Sequence, residues 1–258
     1  MSKDIVWAFS FGLSFLLWFI FPQYRIVFTI ILFMHIPVLI WGIIDLRNCF
    51  FCKSYFHKAG EKRQLALTFD DGPDPNCTPK VLDLLDKYNF RATFFVIAEK
   101  AERFPEICQD IVKRGHTIGC HDLNHSLLAN FRFTKQMIRE IGTAQQIIKS
   151  IIGKAPLLYR PPVGLSNPHL RRALCQLKMK CIGWSSSVRD SGNRRIHTFR
   201  YFHLMARPGS VILLHDVLPK PETQELYFME LEKLFMQIKQ DNLTSVTVDV
   251  LFQENAYN

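Results

Sequence analysis

LALTFDDGPDPN, residues 65–76, decides how this chain is read. An apolar run ends in two adjacent carboxylates, Asp70 and Asp71, and Gly72-Pro73 turns the chain at once. A turn needs at most one of them, and neighbouring carboxylates repel at neutral pH unless a cation or a proton sits between them. The run reads as a strand, and Thr78-Pro79 opens a helix directly behind it.

The same unit recurs to the C-terminus. Further strands are expected at Ala92–Ala98, Thr117–Cys120, Leu157–Pro162, Lys180–Ser186, Ser210–Asp216 and Ser245–Phe252. Helices are expected at Thr78–Tyr88, Pro105–Arg114, Thr134–Ile152, Asn167–Lys178 and Glu225–Gln240. Strand–helix alternation predicts a mostly parallel α/β sheet or barrel. About seven strands are fewer than a regular barrel uses, so the expectation is a distorted, incomplete (β/α) barrel.

In such folds chemistry gathers at the C-terminal ends of strands. Asp70 and Asp71 end one strand, and His121 and His125 follow another in CHDLNH. A helical turn there would bring the two imidazoles onto one face, and a carboxylate would complete a three-ligand metal site with an open position. Arg160 (LYRPPVG), Asp190 (WSSSVRD), and His215 with Asp216 (VILLHDV) sit at or just beyond three more apolar runs.

Upstream the composition changes. Ile5–Pro22 and Ile26–Ile44 carry no Asp, Glu, Lys or Arg, and each is close to the roughly 20 residues that cross a bilayer. Only Gln23, Tyr24 and Arg25 separate them, so residues 1–45 are expected to form a membrane hairpin, 46–63 a basic linker and 64–258 the catalytic domain. The linker holds Arg47, Lys53, Lys58, Lys62 and Arg63 against Asp45 and Glu61, which favours a cytoplasmic catalytic domain under a bacterial-type inner membrane, with an extracytoplasmic one as the alternative. Seven scattered cysteines lean the same way. Cys49 and Cys52 have CxxC spacing without a second pair to complete a zinc site, and read as juxtamembrane thiols. The net charge of +9 lacks the aromatic-basic pattern of a nucleic-acid binder.

TFDDGP, H-x3-H, RPPxG, an Asp after a Trp-Ser run, and LLHD, in this order, resemble the five motifs of the NodB-homology polysaccharide deacetylases (carbohydrate esterase family 4). The resemblance spans about Gln64 to Phe252. It implies hydrolysis of an N-acetyl group on an amino sugar, with a divalent metal, zinc by preference, held by Asp71, His121 and His125. It implies that Asp70 is the general base, oriented by Arg160, and that His215 is the general acid, tuned by Asp190. The Val163 N–H would face the oxyanion, Leu213 would line the acetyl pocket, and Pro162 and Trp184 would lie on the substrate side. A deformylase of a lipid-linked formamido sugar would use the same residues, and a silent glycan-binding membrane protein is the reading from another class.

The chain departs from the family pattern at several positions. Cys120 and Asp122 flank the first histidine where Asn and Ser or Thr are usual. Val163 replaces a common aromatic, and Ser187-Val188-Arg189-Asp190-Ser191 lacks the first aspartate and the tryptophan of the fourth motif. A wider groove follows. Arg189, Arg194, Arg195, Arg200 and Arg207 beside it suggest phosphate on a lipid- or nucleotide-linked substrate.

Overall fold

The computed structural model describes residues 3–126, 128–188, 190, 206–217 and 223–258. Two long helices open the chain, α1 (Lys3–Ile20) and α2 (Arg25–Ile44), joined by a short turn at Pro22–Tyr24. Both are long and apolar enough to cross a membrane, and their apolar side chains face outward rather than into a core; Ile26 is 79% exposed. Their few polar groups are partnered between the helices. Trp18 Nε1 donates to Thr29 Oγ1 at 3.1 Å, and His35 Nε2 meets Ser10 Oγ at 3.2 Å.

The rest is an α/β curled sheet. Its strands are β1 (Ser54–Tyr55), β2 (Gln64–Asp70), β3 (Ala92–Val96), β4 (Thr117–Cys120), β5 (Leu158–Tyr159), β6 (Lys180–Ile182), β7 (Ser186–Ser187), β8 (Val211–His215) and β9 (Thr244–Ser245). Every ladder between them is parallel, in the order β1-β6-β5-β4-β3-β2-β8-β7, with β9 pairing β2 off that path. The arc has eight strands and, among the described residues, no pairing between β1 and β7, so it is an incomplete barrel as expected.

Helices α3 (Thr78–Lys87), α4 (Ala98–Arg103), α5 (Pro105–Lys113), α6 (Thr134–Ile152), α7 (Pro168–Gln176) and α8 (Gln224–Gln240) clothe the sheet. One continuous core forms between them, built on Leu67, Phe69, Phe94, Ile118, Leu85 and Ile148. The interior of the arc is filled by a smaller cluster of Ala66, Phe95, Leu158, Ile182 and Val211.

Three expectations are corrected. Ser245–Phe252 is not one strand: β9 is two residues long, and Val248–Phe252 is helix α9. The β-branched run reads as extended, but Val248 N–H is taken by Thr93 Oγ1 at 2.9 Å, and Val248 and Leu251 share the buried face at helical spacing. Lys180–Ser186 splits at Gly183, whose carbonyl accepts from Arg160 and which has no room for a Cβ against Ser54. The stretch 46–63 is not merely a linker, because β1 lies inside it and extends the sheet.

Candidate active site

The rim is assembled from strand ends held in register. Asp70 pairs with His215 across β2 and β8, and with Phe95 of β3. Arg160 N–H donates to Cys120 O at 3.0 Å and His121 N–H to Val96 O at 2.9 Å, which extends the ladder one step past β4 and β5. Alternation along the strands puts Thr68 and Asp70 on one face of β2, and Leu213 and His215 on one face of β8.

Arg160 is completely buried and holds Asp70 in place. Its Nη1 donates to Asp70 Oδ1 and to Thr68 Oγ1, each at 2.7 Å. Nη2 reaches Gly183 O at 3.0 Å, and the guanidinium stacks 4.2 Å above the Phe95 ring. Thr68 passes its own proton to Ile212 O at 2.6 Å, so the polar chain is saturated. A buried charge pair needs such saturation to offset its desolvation. Asp70 Oδ2 is the carboxylate oxygen that Arg160 leaves free.

Asp71 points elsewhere. Its backbone is left-handed, φ 72°, and the turn aims Oδ1 at His121 Nε2 (3.4 Å) and His125 Nε2 (3.3 Å). That oxygen is buried and makes no hydrogen bond. His121 Nδ1 lies 2.8 Å from Arg160 O, an acceptor, so it is Nδ1 that carries the proton in the neutral ring and Nε2 that presents a lone pair. Lone pairs converging on a buried carboxylate oxygen call for a cation. In the metal-free protein burial pushes the Asp71 carboxyl up, but the close approach of His121 and the charges that His121, His125 and His215 carry when protonated outweigh it and hold it below the usual carboxylate range. Asp71, His121 and His125 offer three ligand atoms within 4.8 Å of one another, a donor set that suits zinc or another divalent ion.

The two histidines are not on a helical turn, contrary to the spacing argument. Asp122 (φ 73°) and His125 (φ 56°) are left-handed, and the segment is an irregular loop. Asp122 is buried and paired with Arg132 at 3.0 Å, a contact that braces the loop from beneath. Cys120 is core, its thiol pushed up to about 12 by burial, and it stands apart from the ligand cluster. Cys52 is likewise buried, and Cys49 half-buried.

On the facing side Asp190 grips His215 through both carboxylate oxygens, to Nδ1 at 2.6 Å and to the backbone N–H at 2.9 Å. Burial opposes charge on this imidazole, yet Asp190, with Asp70 and Asp71 behind it, raises its pKa to about 9. The Tyr227 hydroxyl donates to His215 O at 2.6 Å and fixes the strand end. Leu213 is buried beside it and Pro162 is buried in the loop after Arg160. Trp184 packs against Gly164, where a Cβ would overlap its ring, and Val163 stands exposed at the mouth with φ 60° and ψ 0°. For a β-branched residue that backbone is strained. A small cleft opens beside this loop, lined by Asp122, Arg132, Tyr159, Pro161, Pro162 and Leu165 among others.

Nothing in the sequence assigns Asp216 a role. Its carboxyl is buried, accepts from Thr78 Oγ1 at 2.5 Å, and lies so close to Gly72 that any side chain there would overlap it. Burial pushes its pKa up to about 7. It clamps the turn that aims Asp71, and the only hint in the sequence was the HD dipeptide. Arg189, Arg194, Arg195 and Arg200 lie outside the described residues; Arg207 is described and exposed.

Known proteins carry the same frame. A sequence profile of the family described as Polysaccharide deacetylase matches residues 57–182, which includes Asp70 to Arg160 and stops short of Asp190 and His215. The chain is 32% identical over 192 residues to a peptidoglycan-N-acetylglucosamine deacetylase of Bacillus cereus, with 73% of this chain and 88% of that protein aligned. It is 37% identical over 158 residues to the peptidoglycan-N-acetylmuramic acid deacetylase PdaC of Bacillus subtilis, covering 60% of this chain but only 33% of that longer protein. A crystal structure of a peptidoglycan N-acetylglucosamine deacetylase bound to an N-hydroxybenzamide superposes with a TM-score of 0.71 at 32% identity, covering 80% of this chain and 94% of that one. Those likenesses, with the rim geometry beneath them, show that the chain belongs to the polysaccharide deacetylase family.

Proposed function

We propose that this protein is a membrane-anchored, metal-dependent hydrolase that removes the N-acetyl group from an amino sugar in a glycan or glycan precursor. The observation that carries the reading is the convergence of Asp71 Oδ1, His121 Nε2 and His125 Nε2 beside an Arg160-held Asp70 and an Asp190-held His215. The peptidoglycan deacetylases it resembles point to an N-acetylglucosamine-type residue as substrate.

Asp71, His121 and His125 would hold a divalent cation, zinc by preference, which would supply Lewis acidity towards a water molecule and the amide carbonyl. Asp70 Oδ2 takes the proton from the attacking water, since Oδ1 is committed to Arg160. The Val163 N–H, on the exposed turn after Arg160, faces the developing oxyanion. His215, its Nδ1–H fixed by Asp190, delivers the Nε2 proton to the departing nitrogen. The C–N bond breaks, and acetate and a free amine leave. Leu213 bounds the acyl methyl, while Pro162 and Trp184 shape the sugar side. The apolar helices α1 and α2 anchor the catalytic domain to the bilayer.

The test is product analysis. Full-length protein supplied with zinc is incubated with N-acetylglucosamine oligomers and with peptidoglycan fragments. Acetate and primary amine should appear in equal amounts; intact substrate, or formate released only from a formylated analogue, would refute the reading.

A further inference from the structure

Outside the helical hairpin, residues 3–44 with its turn, the large apolar side chains exposed among the described residues are Leu128, Phe131, Phe133, Val163, Met229, Met236 and Val250. The first four lie on the two loops that flank the site, one following His125 and the other following Arg160. Leu128, Phe131 and Phe133 are 68%, 79% and 72% exposed. This is not slack chain. Arg132, between the two phenylalanines, points inward to Asp122 at 3.0 Å and to Glu140 at 2.7 Å. Single exposed apolar residues are ordinary, whereas a braced cluster beside an active-site mouth marks a surface that something covers.

What covers it follows from where the helical hairpin lands. Ser166 N–H donates to Ile43 O at 3.0 Å and Ser166 Oγ to Gly42 O at 3.2 Å. Five residues on, Arg171 pairs with Asp4 at 2.8 Å. The end of α2 and the start of α1 therefore meet the same short segment at the beginning of α7. From that segment Asn167 Nδ2 donates to Asn130 O at 2.6 Å, and the His169 ring lies edge-on to Phe133 at 5.4 Å. One hydrogen-bonded residue thus separates the point where the apolar helices end from the loop that carries Leu128, Phe131 and Phe133. A bilayer that covered α1 and α2 from Asp4 to Ile44 would have its boundary beside that loop.

We propose that the active-site face of the catalytic domain rests in the surface of the bilayer that holds the hairpin, with Leu128, Phe131 and Phe133 among the lipids, and that it acts on an amino sugar attached to a lipid. Continuity with the hairpin selects lipid as the occupant over a second copy or a soluble partner. Apolar side chains at this depth bind the interface in proportion to the area they bury. A mouth set against headgroups receives a sugar carried by the membrane itself, and a free polymer has to thread beneath the domain. The substrate half rests on the proposed deacetylation; the bilayer half does not.

The experiment places p-benzoylphenylalanine at position 131, at 26 in the hairpin and at 236 on α8, in full-length protein reconstituted into phosphatidylethanolamine–phosphatidylglycerol vesicles. After irradiation, phospholipid adducts are expected at 26 and 131 and not at 236. Adducts at 26 but none at 131, or a cross-link from 131 to a second copy, overturn the docking. Turnover of an isoprenyl-phosphate-linked N-acetylglucosamine in the same vesicles, relative to a soluble chitooligosaccharide, should fall about tenfold when Phe131→Ser and Phe133→Ser are combined. An unchanged ratio overturns the choice of substrate. Lipid adducts at 131 with no acetate from either glycan sink the deacetylase reading and leave the docking standing.

Discussion

Asp190 holds His215 twice, through Nδ1 at 2.6 Å and through the backbone N–H at 2.9 Å, so one carboxylate sets both the orientation of the ring and the position of its strand end. In the metal-free protein the imidazole should titrate near its raised value of about 9 in an NMR experiment. Asp190→Asn leaves burial unopposed by that partner and should bring the pKa down by a unit or more. The sign for stability follows. A folded-state pKa above the ordinary histidine value stabilises the fold fully at pH below about 6.5, and that contribution is lost as pH rises through 9. The variant should lose this part of the pH dependence of its melting temperature, and its rate should fall at lower pH than the wild type's.

Arg160 is the second anchor. Arg160→Met leaves Asp70 buried without a cation, and breaking such a pair costs about 3–5 kcal/mol. Chemical denaturation should show a loss of that order. A melting temperature within a degree or two of the wild type would contradict the account of this ion pair.

His125 contributes one of three ligand atoms at the rim. His125→Ala should weaken zinc binding, measured by calorimetry, by more than the roughly 10–100-fold typical of losing an outer-shell partner. Chelation should abolish activity and added zinc should restore it. Equal zinc affinity in the variant would remove His125 from the ligand set.

Val163 carries strain at φ 60° and ψ 0°. Val163→Gly should relieve about 1 kcal/mol of it and raise the melting temperature unless the added freedom of the unfolded chain offsets the gain. Because the side chain stands at the mouth, the variant's KM for a glycan should change more than its thermal stability. A fall in stability of several degrees would show that the Val163 side chain packs rather than projects.

Much of this was legible in the residues. β2 and β4 run as their apolar patterns predict, and the strand-end positions of Asp70, His121, Arg160 and His215 follow from that alternation. What escaped is long-range. Ser54–Tyr55 is too short to show a period, and only β6 makes it a strand. Val248–Phe252 has a strand's residue types and takes a helix because Thr93 caps it from another element. Nothing near Asp122 announces Arg132 as its partner, and the clamp of Asp216 on Gly72 joins residues from opposite ends of the domain. These are tertiary contacts, which local pattern does not encode.

The central claim is that Asp70 moves a proton while Asp71 binds metal, and one variant separates the two. Asp70→Asn should bind zinc about as tightly as the wild type, because Oδ1 of its neighbour and both histidine Nε2 atoms remain. Acetate release from N-acetylglucosamine oligomers by that zinc-loaded variant should fall on the order of 100-fold or more, the contribution of a positioned general base. Retained zinc with undiminished acetate release would contradict the account.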